Sequence, residues 1–230
     1  MSNQSREAIL HNIRKGLSEI SSPSPIVTDD RDFSKEAQEI RERLDKIKNE
    51  LTGQFISEVE NVNTNVSNAD NREQLQQSIV DLVKEKGMKS FAIWETPYLK
   101  ELKLKERLKE EGLKVVTVKN KNHLANAGIG ITEVDYAIAD TGTLVLLKDK
   151  VRPRGTSLLP PVHLAIVRPD NIVSNIRELF IMLEARINAP GDVKSCMTFI
   201  TGPSRTADIE LNLTLGVHGP KELFVLIQND

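Results

Sequence analysis

Residues 71–118 read NREQLQQSIVDLVKEKGMKSFAIWETPYLKELKLKERLKEEGLKVVTV, and this stretch decides the fold class. Apolar residues recur at helical spacing from Asn71 to Lys86, Gly87 closes that helix, and Ser90 to Trp94 follows as a short apolar strand. The cycle repeats at once, with a helix over Tyr98 to Glu111, Gly112 as its cap, and a strand over Lys114 to Val118. Helix and strand alternating in this way predict a parallel sheet with right-handed crossovers.

Downstream the pattern changes. Val134 to Ala139 and Thr143 to Leu147 are two apolar runs joined by Asp140-Thr141-Gly142, which predicts an antiparallel pair within the sheet. Val162 to Val167 reads as a buried strand, Ile172 to Arg186 as a helix, Met197 to Thr201 as a central strand and Leu223 to Ile227 as the last one. Upstream, Ser34 to Val59 is a charged helical stretch with Ile40, Leu44, Ile47 and Leu51 on one face. Ser5 is placed to cap a first helix carrying Ile9, Ile13, Leu17 and Ile20, and a Pro/Ser/Asp linker from Ser21 to Asp32 detaches it. The expected fold is α/β, a three-layer arrangement with a mixed, mainly parallel sheet flanked by helices. Residues 1–32 form an N-terminal helix and linker, and residues 33–230 the main domain.

Composition narrows the functions. Lys plus Arg is 31 against 33 for Asp plus Glu, a net charge of −2, and aromatics make up only 4% of the chain. Such a chain lacks both the field and the stacking platforms for nucleic acid. Cys196 is the only cysteine, so no intrachain disulfide and no four-cysteine cluster can be built, and a buried inert thiol is expected. The N-terminus lacks a long apolar leader and no run reaches membrane-spanning length, so a cytoplasmic protein without membrane insertion is expected. No phosphate loop, Gly-x-Ser-x-Gly elbow or paired-histidine metal motif occurs, and Gly128-Ile129-Gly130 has Glu133 where a dinucleotide fingerprint needs glycine. No metal site and no cofactor are expected in this chain.

The chemistry-bearing stretch is Thr201-Gly202-Pro203-Ser204-Arg205-Thr206-Ala207-Asp208-Ile209-Glu210, behind the apolar run Met197 to Ile200. Gly202 allows a tight turn, Pro203 fixes φ, and Ser204 or Thr206 is placed to cap a following helix whose free N–H groups face an anion, with Arg205 as the gripping fork. Two further loops join it. Thr141, Gly142 and Thr143 follow one strand, and Arg154 and Ser157 lie ahead of another. Together they predict a pocket for a small anionic ligand, lined by Thr141, Gly142, Thr143, Arg154, Ser157, Gly202, Ser204, Arg205 and Thr206. The plainer alternatives are a simple hairpin turn at Asp140 and arginines paired with carboxylates. The catalytic candidates are His218, between Gly216 and Gly219, and the carboxylates Asp208 and Glu210. His163, inside an apolar strand, reads as a hydrogen-bonded core histidine.

Four motifs in order, Ala139-Asp140-Thr141-Gly142-Thr143-Leu144, Ser157-Leu158-Leu159-Pro160-Pro161-Val162-His163, the 201–210 stretch, and Gly216-Val217-His218-Gly219-Pro220, make the chain similar to the LUD-domain family, in its lactate-utilisation branch. The opening Arg6-Glu7-Ala8-Ile9-Leu10 also resembles it. That resemblance implies a fold similar to the sugar-isomerase and CoA-transferase group. It further implies a bacterial protein acting with two iron–sulfur partner proteins in the oxidation of L-lactate to pyruvate, with the clusters held by the partners. Two rivals stand beside it: a stand-alone enzyme of acyl, CoA or folate type using Asp208 or Glu210, and a scaffold whose first helix docks partners.

Overall fold

A computed structural model of the chain describes residues 3–19, 31–117, 121–149, 151–187, 196–207 and 213–229. It divides into two compact units, residues 1–32 and 33–230. Among its described residues the first holds one helix, α1 (Asn3–Glu19), whose Ile9, Ile13 and Leu17 are exposed. The helix begins ahead of Ser5, so Ser5 lies inside it and is not its cap.

The second unit runs in chain order through α2 (Phe33–Lys46), α3 (Lys48–Asn61), β1 (Asn65–Ala69), α4 (Arg72–Glu85), β2 (Ser90–Ile93), α5 (Pro97–Glu101), α6 (Leu104–Glu110), β3 (Lys114–Val115), α7 (Lys121–Leu124), β4 (Ile129–Glu133), β5 (Tyr136–Ile138), β6 (Thr143–Lys148), β7 (Val162–Val167), β8 (Ile172–Val173), α8 (Ile176–Ile187), β9 (Cys196–Ile200), β10 (Arg205–Ala207), β11 (Leu213–Leu215) and β12 (Glu222–Gln228). The main sheet has the order β1-β12-β7-β4-β2-β3, and all five of its pairings are parallel. The α/β class and the mainly parallel sheet follow the expectation.

The predicted hairpin forms, with Ile138 opposite Thr143, but it is not inserted into the main sheet. It builds a separate four-stranded sheet, β8-β5-β6-β9. Consequently β9, expected to be central, is an edge strand, with Met197 37% and Phe199 42% exposed. Cys196 on that strand is half-buried, not enclosed. The helix expected behind Gly202 is also replaced: Arg205–Ala207 pairs antiparallel with Leu213–Leu215, Thr206 standing opposite Thr214.

Local chemistry explains the elements. Asn71 caps α4 by accepting from the Gln74 N–H at 2.9 Å, and Gly87 and Gly112 adopt φ of 61° and 84° behind their helices. Two expected helices are each broken. The first splits at Ile47, whose ψ of 16° leaves the helical region. The second splits at Lys103, which takes a left-handed φ of 52°. The core forms where apolar faces meet, including Leu51, Phe55 and Val59 of α3 against the strands.

One close approach positions the site. The 3₁₀ turn Arg154–Ser157 lies on β4 so tightly that a Cβ at Gly130 would fall 1.8 Å from the Thr156 carbonyl oxygen. Gly130, which fails as a dinucleotide motif, is there to admit this backbone.

Candidate functional site

Ser157, Leu158, His163, Thr198 to Ser204, His218 to Pro220 and Leu223 enclose a cleft of about 190 Å³. The loop after β9 and the turn before β12 are tied across it. The Ser204 N–H donates to the Pro220 carbonyl (2.9 Å), the Gly216 N–H to the Ser204 carbonyl (3.0 Å) and the Lys221 N–H to the Pro161 carbonyl (2.8 Å). Gly219 lies so close that a Cβ there would be 3.2 Å from that of Ser204. His218 stands exposed at the rim, whereas Ser157 and His163 are buried at the floor.

The predicted ligand residues separate into three groups. Ser157, Gly202 and Ser204 line the cleft, together with the catalytic candidate His218. Thr141 and Thr143 stand behind it in a hydroxyl chain, 2.8 Å from each other, and Thr143 is 2.8 Å from Thr201, which does line the cleft. Gly142 (φ 60°) is pressed onto the end of α3, where a Cβ would meet Glu58 and Val59 backbone at 2.7 Å. The arginines are not brought in. Arg154 is exposed, and only its carbonyl reaches the site, accepting from the Ser157 hydroxyl at 3.2 Å. Arg205 donates to the Val62 carbonyl at 2.6 Å, capping the C-terminus of α3 where carbonyls lack helical partners. Arg205 does not line the cleft, and its hydrogen bond runs to the α3 end rather than across the cleft. Thr206 belongs to β10, and Asp208 and Glu210 lie outside the described residues.

Beneath the cleft lies a polar cluster. Lys148, 2% exposed, donates from Nζ to Ser157 Oγ at 3.2 Å and stands 4.4 Å from the centroid of the Trp94 ring. Burial drives its amine down to about 7, with Asp135 and Cys196 opposing and Arg152 and Arg154 reinforcing the drop. His163, 1% exposed, holds Thr132 Oγ1 at 2.9 Å from Nε2, as a core histidine should, but its Nδ1 has no partner. Burial first, and the Lys148 charge second, push it down to about 3, so the ring is neutral at physiological pH. Asp135 and Asp149 clamp the buried Arg152 (2.7 and 2.8 Å), and Asp135 also accepts from the Leu147 N–H at 2.8 Å, which fixes the end of β6.

Other grooves are larger but differently made. That between α2, α3 and β8, about 420 Å³, is rimmed by the solvated pairs of Lys48 with Asp45 and Asp170. None of the predicted ligand residues lines it. Among the described residues no group of three His, Cys, Asp or Glu side chains could hold a metal ion, and no helix is long and apolar enough to cross a membrane.

The LUD domain family model matches residues 52–228, which include the whole cleft. The chain belongs to the LUD-domain family. Two relatives called lactate utilization protein C agree with this placement. The one from Halalkalibacterium halodurans is 32% identical over 69% of this chain and 70% of its own length, and the one from Geobacillus sp. strain WCH70 is 31% identical over 68% and 69%. Among solved structures, a DUF162 family protein from Deinococcus radiodurans superposes with a TM-score of 0.57, covering 78% of this chain and 97% of its own at 24% identity, a likeness of fold.

In this LUD-domain protein the residues that sequence reading missed are Lys148, Trp94, Thr132 and Asp135. Lys148 ends an apolar run and precedes Asp149 and Lys150, so it looks like the first residue of a solvated turn. The available signal was the downstream one: a Ser157 and a His163 that both face the sheet demand a polar neighbour within it.

Proposed function

We propose that this LUD-domain protein serves lactate utilisation by binding a small anionic ligand in the cleft between Ser157, His163, Ser204 and His218. It does so as a subunit acting with iron–sulfur partner proteins in the oxidation of L-lactate to pyruvate. The role in lactate utilisation is supported by the names of its relatives. The observation that carries the ligand is the convergence of three sequence-distant segments on one small cleft whose floor holds buried polar groups, one of them unpartnered. With a single cysteine, this chain contributes binding and assembly, and electron transfer falls to the partners. The test is lactate-dependent dye reduction by the assembly reconstituted from this chain and its iron–sulfur partners. Omitting the chain should abolish turnover, and Ser204→Ala or His218→Ala should lower it by about tenfold or more, the scale of a lost polar contact to a charged ligand. Full turnover without the chain, or with both variants, would reject the reading.

A further inference from the structure

The cation tied to the cleft is Lys148, which no motif marks. Its amine is linked to Ser157 at 3.2 Å, and Ser157 therefore stands between a buried Nζ and the ligand space. Trp94, whose ring face carries that Nζ, is itself pinned by its Nε1–H donating to the Pro153 carbonyl at 3.2 Å. His163 also lines the floor, and its enclosed Nδ1 has no hydrogen-bond partner among the described residues.

We propose that Ser157 and His163 receive the carboxylate of a small hydroxy or oxo acid, with Lys148 acting through Ser157 as its counter-charge; this rests on reading the cleft as the ligand site. The Ser157 hydroxyl turns from the Arg154 carbonyl to donate to the carboxylate, while its oxygen keeps accepting from the Lys148 ammonium. The Thr132 hydroxyl donates to His163 Nε2, which puts the ring proton on Nδ1 as a second donor. The cleft's volume of about 190 Å³ suits a three- or four-carbon acid and is smaller than the roughly 300 Å³ of a drug-sized pocket.

The charge balance gives the proposal a signature. Asp135 and Cys196 face Lys148 and favour its charged form; Arg152, Arg154 and burial oppose it, and His163 stays neutral. Near neutral pH the empty site therefore holds a mixture of amine and ammonium. A bound anion stabilises the ammonium, so Lys148 takes up a proton from solvent on binding, and affinity falls as the pH rises above its range.

Calorimetric titration of the full chain with L-lactate and with pyruvate, from about pH 6 to about pH 9 in buffers of different ionisation enthalpy, measures both effects. The expected result is affinity that declines above about pH 7 with proton uptake growing over the same range. Lys148→Met should bind about tenfold more weakly at low pH, with no uptake and a flat profile. Ser157→Ala, which cuts the link while leaving the amine, should lose both affinity and uptake, and thermal melts establish that each variant is folded. Binding by the wild type with an unchanged profile in folded Lys148→Met, or in folded Ser157→Ala, overturns the role of Lys148 and leaves the cleft as a ligand site. Failure of the wild type to bind either acid overturns both.

Discussion

Lys148 shows how one residue trades stability for chemistry. Its amine is held at about 7, against an ordinary value of 10.5, chiefly because it is buried. Between those two values the unfolded chain binds the proton more tightly, so stability rises with pH across the window, and the penalty is complete below about pH 7. Lys148→Met removes that penalty. The variant should therefore be more stable by a few kcal/mol near pH 7, on the order of the shift itself, with the advantage shrinking as the pH approaches 10. Urea unfolding at several pH values checks it; a constant difference would contradict the cause. Asp135 is the opposite case. Its side chain is 5% exposed, shares the buried Arg152 with Asp149 and accepts from the Leu147 N–H, so Asp135→Ala leaves Arg152 a single carboxylate and that N–H without its acceptor, and should lose about 1–3 kcal/mol. Of these groups the sequence made only Ser157 and His163 visible, because their neighbours are a glycine-threonine turn and an apolar strand. Lys148 and Asp135 look like ordinary turn charges until the fold buries them.

At the level of elements, the legible parts were those with dense apolar runs and glycine stops. These include α4, β2, the β5–β6 hairpin, β7 and β12. The strands that escaped notice lacked that contrast. β1 reads Asn-Val-Ser-Asn-Ala, polar because it is an edge, and β4 is interrupted by Gly130, which admits the 154–157 turn. The helix breaks were equally silent, since charged helix formers continue through both. Lys103 illustrates the cause: the chain turns between α5 and α6 through a left-handed φ that lysine tolerates poorly. Lys103→Gly should therefore be neutral to stabilising, by up to about 1 kcal/mol, where glycine in a helix interior would destabilise. Thermal unfolding decides it, and a loss of stability would mean that the lysine side chain holds the turn. Arg205 belongs to this scale as well, tied to the Val62 carbonyl behind α3.

At the scale of the whole molecule, residues 1–32 and 33–230 are two compact units, and the second contains the three sheets of the described residues, the core and the cleft. Removing residues 1–32 should leave the unfolding transition of the remainder within a few degrees of the full chain, which calorimetry would show. If turnover of the reconstituted assembly falls while ligand affinity stays, the exposed Ile9, Ile13 and Leu17 of α1 serve docking. The main sheet brings β7 and β12 side by side, and their preceding turns close the cleft together with the loop after β9. Sequence order alone suggested that the arginines and hydroxyls would meet. In the fold Ser157 and Ser204 line the cleft, whereas Arg154 is exposed and Arg205 donates to the Val62 carbonyl. That division is tested most directly by comparing Ser157→Ala with Arg205→Ala in lactate-dependent dye reduction by the reconstituted assembly. The floor variant should lose turnover by about tenfold or more while Arg205→Ala retains it; full activity in Ser157→Ala together with loss in Arg205→Ala would contradict the account.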